Sequence, residues 1–254
     1  MTAASYSNNR LRLGMGYVWR GIVLIREPKI RRFVVVPLLI NIVLFALGII
    51  CIANGIDSVM STFLPSWLGW LKFLLWPLFL LASMIIVFYG FTIVANIIAS
   101  PFNGLLAAAV EQHLRGTTKE LPSDWRSVGR DIARSIGAEL RKLAYFVGWA
   151  VPCLLLFMIP GVNLIAAPLW FLFGAWMMAI EYIDVPLSNQ GKPFPAVKHE
   201  LRQRRRLALG FGSTIMLMTM VPIVNFIAMP VGVAAAAALC LEQLEPANRG
   251  PQAS

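Results

Sequence analysis

At 254 residues, with 58% hydrophobic and only 13% charged side chains and a mean hydropathy of +0.72, the chain excludes a soluble globular domain, where about 25% charged residues is ordinary. Its formal charge of +10 suits a partner that is anionic, lipid headgroup or small solute, and does not separate the two. Cys51, Cys153 and Cys240 all lie in apolar runs without ligand spacing, which predicts packed thiols rather than a disulfide framework or a metal centre.

In chain order, residues 1–32 carry seven Lys and Arg against the single acid Glu27. Leu13, Tyr17, Val18, Ile22 and Ile25 recur at helical spacing, so an amphipathic helix at the membrane surface is expected. No removable signal peptide is expected, and the first span would itself direct insertion. That span, residues 33–53, is uncharged and ~32 Å long as a helix, enough to cross a ~30 Å hydrocarbon core. The second, residues 73–99, would reach ~40 Å and must tilt. At Ala99-Ser100-Pro101-Phe102-Asn103-Gly104 the chain is expected to leave that span and enter a polar helical segment, 100–142, with Ser123 a candidate N-cap. Segment 103–142 holds seven basic residues and 184–206 holds six, whereas 54–71 holds none. The positive-inside bias then puts the N-terminus and both later polar segments on the cytoplasmic side.

Two uncharged stretches remain, residues 143–180 and 207–241. They are related: Met158, Pro160, Val162, Asn163, Ile165, Ala166 and Pro168 recur as Met220, Pro222, Val224, Asn225, Ile227, Ala228 and Pro230 at a constant offset of 62. Each unit reads as apolar arm, Pro-x-x-Asn turn, apolar arm. The arms, ~22–26 Å, are short for a crossing, and the turns carry no charge. Hairpins whose tips stop inside the membrane are therefore favoured over four short spans. The fold class is an all-α integral membrane protein: two long transmembrane helices, two partly penetrating helical hairpins and amphipathic surface helices. Residues 1–254 form one membrane domain with a disordered tail from 242.

Lys29, Arg31 and Arg32 stand where the first span begins, just after Pro28 at a position where helices tolerate proline. Membrane anchoring is their plainer reading. The sharper one is oxyanion binding by guanidinium forks and by the free N–H groups of residues 29–32. Asn41, Asn96, Asn163 and Asn225 are polar at membrane depth, suited to interhelical hydrogen bonds or to a hydrated path. Glu111 and Arg115, four apart, predict a local ion pair with a role in admitting anions as the alternative. Glu181 and Asp184 are expected to be solvated. The run Arg202, Arg204, Arg205, Arg206 reads as an anionic-lipid anchor first and an anion collector second, not as a nucleic-acid patch. Catalytic residues are not expected: His113 and His199 lie in polar segments, and nucleophile elbow, zinc-hydrolase and phosphate-loop motifs are missing.

Beyond these patterns the chain resembles the CysZ sulfate permeases of bacterial inner membranes. The resemblance covers about residues 12–242. It is carried by Ile30-Arg31-Arg32-Phe33 with Pro37, Leu38 and Asn41; by Ala99-Ser100-Pro101-Phe102-Asn103-Gly104-Leu105-Leu106-Ala107; by Gly174-Ala175-Trp176-Met177-Met178-Ala179-Ile180-Glu181-Tyr182; by the run Arg202 to Arg206; and by Pro222, Asn225, Met229 and Pro230 in order. It implies two long helices plus two partly inserted hairpins in a homo-oligomer whose subunits insert in opposite orientations. It also implies sulfate uptake for cysteine synthesis without an ATP-binding module or other cofactor. The family's Gly-x-Arg-Arg-like sulfate stretch falls on Lys29, Ile30, Arg31 and Arg32, with lysine in place of glycine. Ala108 stands where many members carry an acid, leaving Glu111 the nearest carboxylate. Asn41, Asn96, Glu111, Arg115, Asn163 and Asn225 are then candidates to line the path. The expected partners are sulfate, with sulfite and thiosulfate of like chemistry, and membrane lipids. A non-transporting scaffold or lipid-binding protein is the alternative function.

Overall fold

A computed structural model describes residues 3–63, 72–117, 125–159 and 161–245. It divides into two compact units, Met1–Arg31 with Asn103–Ser254, and Arg32–Phe102. The boundaries fall inside two long helices, α2 (Pro28–Phe63) and α3 (Lys72–Arg115).

The smaller unit consists of α2 from Arg32 onward and α3 up to Phe102. As helices of 36 and 44 residues they extend ~54 and ~66 Å, well past the apolar runs that identified them. Pro37, Pro77 and Pro101 lie inside them. The exit from the second span expected at 99–104 does not interrupt α3, consistent with the tolerance of proline in bilayer helices where neighbours satisfy the freed carbonyl. Leu39, Ile42, Val43 and Ile50 on α2, and Leu78, Leu81 and Met84 on α3, are more than half exposed. That distribution suits hydrocarbon as solvent. Four segments among the described residues are long and apolar enough to cross a membrane: Pro28–Cys51, Leu140–Phe157, Leu164–Asn189 and Pro222–Leu244. The chain is a multi-pass all-α membrane protein.

The larger unit is built around α1 (Ala3–Leu24), α4 (Trp125–Phe157), α5 (Asn163–Asn189), α6 (Phe194–Gln203), α7 (Arg205–Met220) and α8 (Pro222–Leu239). Glycine permits its closest crossings. A Cβ on Gly14 would stand 2.2 Å from the Leu207 carbonyl oxygen, one on Gly210 would stand 2.1 Å from that of Leu11, and one on Gly21 would stand 2.5 Å from that of Val231. Helix α1 therefore lies backbone to backbone on α7 and α8, the small-residue packing typical of membrane bundles. This alters the picture of α1 as a surface helix alone. Its buried face is Gly14, Tyr17, Val18, Gly21 and Leu24, while Leu13, Met15, Trp19 and Val23 stay outside.

Helices α5 and α7 run antiparallel. Gly212 abuts Ala175 and Ala179, and one turn further along α7, Met216 abuts Gly174, closer to the start of α5. The two Pro-x-x-Asn turns consequently sit at the same end of this bundle. Eleven residues separate Gly174 from Asn163, ~16 Å, against four between Met216 and Met220, ~6 Å, so the first tip projects ~10 Å further. Both tips are apolar and open: Met158, Leu164, Ile223 and Phe226 are each 78–83% exposed. In the first tip Gly161 takes φ +86°, and the N–H groups of Met158, Ile159 and Val162 donate to the carbonyls of Leu155, Leu156 and Ile159. Those bonds lower the cost of an irregular turn away from water.

Boundaries moved elsewhere too. Helix α5 continues to Asn189, nine residues past the apolar run, and α4 begins well ahead of its own. The stretch from 242 is not wholly a tail: Cys240–Leu244 forms a π-helical turn. The candidate cap Ser123, residues 64–71 and residues 246–254 lie outside the described residues.

Candidate functional site

The cationic start of α2 is prepared by a tight turn. The N–H groups of Arg26 and Glu27 donate to Val23 and Leu24, and the Glu27 carbonyl accepts from both Ile30 (2.9 Å) and Arg31 (2.8 Å). Four open amides were expected across 29–32. The Glu27 carbonyl occupies two of them, Arg32 donates inside the helical ladder, and the Lys29 amide is the one left ahead of it. Anion binding here must therefore rest on side chains. Ile30 is fully buried and pins the turn, while Lys29, Arg31 and Arg32 are exposed. Helical geometry makes Lys29 and Arg32, three apart, neighbours on one face, with Arg31 about 100° round from Arg32. The Arg32 guanidinium lies 4.8 Å from the Phe33 ring centroid, which restrains it without neutralising it. Among the described residues none of these three cations has an ion-pair partner. Three uncompensated cations around one helical turn can hold a tetrahedral dianion through forked and single hydrogen bonds, and exposure keeps the hold shallow.

Glu111 and Arg115 form the local pair their spacing predicts, with the Arg115 Nε donating at 2.8 Å. The pair is part of something larger. Arg115 also donates to the Glu245 carboxylate, which accepts from Gln190 Nε2 at 2.9 Å. Burial works against the Arg115 cation, but the hydrogen bond to Glu245 and the charges of Glu111 and Glu245 outweigh it and raise its pKa. Close by in sequence, Glu242 accepts from Arg20 and from the Tyr17 hydroxyl (3.0 Å), which itself accepts from Gln243 at 3.0 Å. The π-helical turn thus fastens α1, α3 and α5. Sequence reasoning missed every link beyond Glu111–Arg115 because those partners are 55 to 226 positions apart.

The asparagines divide. Asn41 lies in α2 and its Oδ1 is buried with no hydrogen-bond partner among the described residues. Asn225 is exposed in the first turn of α8, its N–H bonded to the Val221 carbonyl at 2.8 Å. Asn163 opens α5 and Asn96 lies in α3, with side chains outside the described residues. Asn103, Gly104 and Leu106 of the 99–107 motif do pack: Asn189 Nδ2 donates to the Gly104 carbonyl at 2.7 Å, Asn103 Nδ2 reaches Met229 Sδ at 3.8 Å, and Leu106 is buried. Asp184, expected to be solvated, is buried against Lys142 Nζ at 3.1 Å, with Glu181 at 3.5 Å. Among the described residues no group of His, Cys, Asp and Glu could hold a metal ion.

Comparison with known proteins agrees with these features. The family model described as sulfate transporter CysZ/etoposide-induced protein 2.4 matches residues 17–230. A sulfate transporter CysZ from Pseudomonas paraeruginosa is 44% identical over 227 residues, covering 88% of this chain and 92% of that protein. Those of Pectobacterium atrosepticum and Vibrio parahaemolyticus are 42% and 40% identical, covering 94% of this chain and 89% and 98% of theirs. A family match over more than half the length, with relatives 40–44% identical over most of both chains, is enough: the chain belongs to the sulfate transporter CysZ/etoposide-induced protein 2.4 family.

Proposed function

We propose that this protein is a sulfate permease of the bacterial inner membrane, an ATP-independent channel-like or ion-coupled path rather than an enzyme, supplying sulfur for cysteine synthesis. The observation that carries the reading is the near full-length likeness to proteins named sulfate transporter, joined to three cations on the first turn of α2 that have no ion-pair partner among the described residues. Lys29, Arg31 and Arg32 hold the dianion at the helix entrance, with Ile30 fixing the turn. Sulfite and thiosulfate present similar oxygens to the same forks. Asn41, Asn96, Asn163 and Asn225 line the route beyond, offering amides in place of water, while Glu111 and Arg115 guard its polar end. The open apolar tips favour a homo-oligomer, since irregular backbone at membrane depth needs protein or a wet cavity around it. A conducting site must also release its ion, and solvent-exposed cations do so more readily than a buried trap.

The test is uptake of radiolabelled sulfate into vesicles containing the purified protein, without ATP. Flux above protein-free vesicles is expected. Sulfate equilibration no faster than in those controls would favour a non-transporting scaffold.

A further inference from the structure

One face of α4 begins with a cation and continues apolar. Arg141, Tyr145, Trp149, Pro152 and Leu156 recur every three or four residues from the start of the candidate span Leu140–Phe157, so they share one side of the helix. A helical side chain leans toward the helix start, which lays Tyr145 over the turn that Arg141 begins. From α6, Lys198 Nζ lies 4.6 Å from the Tyr145 ring centroid and 5.4 Å from that of Phe194, so Arg141 and Lys198 border the same tyrosine. The Tyr145 hydroxyl accepts from Trp176 Nε1 at 3.2 Å, which leaves its own proton to donate. Arg141 is exposed and Lys198 half-buried, and among the described residues neither has an ion-pair partner. The acids of α5 and α6 are engaged elsewhere: Asp184 and Glu181 face Lys142, and Glu200 faces Lys192. Past the cations, Trp149 is 54% exposed and Pro152 is exposed. Leu156, half-buried, stands ~16 Å along the axis from Tyr145, about the ~15 Å depth of one leaflet.

We propose that this face of α4, bordered at its polar end by Lys198, is a binding site for an anionic phospholipid. Arg141, Lys198 and the Tyr145 hydroxyl take the headgroup phosphodiester, and an acyl chain lies along Trp149 and Pro152. The order along the helix decides between ligands, because a free oxyanion would use the cations and gain nothing from a tryptophan one turn deeper. A zwitterionic headgroup would bring its own cation against the same two. Snorkelling alone would send the Lys198 head to water, whereas it lies over two aromatic rings. The site shares no residue with the first turn of α2, so sulfate binding there should survive its loss.

Native mass spectrometry of the full chain, taken from micelles holding equal phosphatidylglycerol and phosphatidylcholine, reads this directly. The wild type is expected to retain phosphatidylglycerol preferentially. R141Q and K198Q should each lower that preference by about fivefold, the usual gain of a basic side chain near an anionic surface. W149S should lower retention of both lipids. Raising ammonium acetate from ~0.1 to ~0.5 M should shrink the wild type's preference, a reading that needs no variant to fold. Equal retention of the two lipids by the wild type, or a preference unchanged in R141Q with K198Q or in high salt, overturns the proposal. So does retention unchanged by W149S together with displacement by ~10 mM sulfate, which would make the site a collector of free anions.

Discussion

Two glycines on α1, two residues apart, should respond oppositely to the same substitution. In Gly14→Ala the added Cβ would stand 2.2 Å from the Leu207 carbonyl oxygen and 2.8 Å from the Phe211 nitrogen, whereas a Cβ on Gly16 has no neighbour within 4 Å. Ordinary contact begins near 3.4 Å, so α1 and α7 must part by about 1.2 Å, and both obstructing groups are backbone that cannot rotate away. Overpacking of this kind costs roughly 1–3 kcal/mol, and the rigidity of the neighbours puts Gly14→Ala at ~2–3 kcal/mol. At ~2–4 °C per kcal/mol for a chain of this size, the midpoint should fall by roughly 4–12 °C. Gly16→Ala should be neutral or raise it slightly, because alanine in an exposed helix interior gains ~0.5–1 kcal/mol over glycine. Thermal melting of both variants in one detergent, read by size-exclusion fluorescence, makes the comparison. Equal midpoints would refute the docking of α1 on α7 and leave it a surface helix alone.

Removing Lys142 with Lys142→Met should destabilise by ~3–5 kcal/mol, because Asp184 is then buried beside a lost cation, whereas adding Asp184→Leu should restore much of the loss; a double variant worse than the single would contradict that. Tyr17 has a hydroxyl whose pKa is raised by burial, against the Gln243 hydrogen bond and with the Glu242 carboxylate. The folded state therefore keeps its proton after the unfolded chain has lost it, so stability is full below about pH 10 and falls as pH rises from there to the folded pKa. Melting at about pH 9 and about pH 11 should show a larger drop for wild type than for Tyr17→Phe, and equal drops would remove Tyr17 from the C-terminal network.

How much of this was legible depended on range. Apolar length announced the helices, and the shared Met, Pro, Val, Asn, Ile, Ala and Pro positions announced two related hairpins whose turns prove to share one end of a bundle. The Glu111–Arg115 pair was readable because helical spacing dictates it. Gly14, Gly21 and Gly210 were invisible, since close approach leaves no trace in hydropathy, and so α1 looked like a helix facing water and lipid. Asp184 looked solvated because the apolar run ends at Ile180, yet α5 carries its burial past that point. Glu242 and Glu245 fell in a polar C-terminal stretch, and only their distant partners Arg20 and Arg115 give them a role. At the start of α2 the cations were legible from residue type. The Glu27 carbonyl, which consumes the Ile30 and Arg31 amides, was not, because a turn's hydrogen bonds depend on backbone angles that composition does not specify.

The central claim, that the first turn of α2 holds sulfate, is tested most directly by titrating labelled sulfate onto purified wild type and onto Arg31→Ala with Arg32→Ala, with melting curves to confirm that both are folded. Losing two charge-assisted partners, each ordinarily ~1.5–3 kcal/mol and less at exposed groups, should weaken binding by roughly tenfold or more. An unchanged affinity in the folded double variant would place the sulfate site elsewhere.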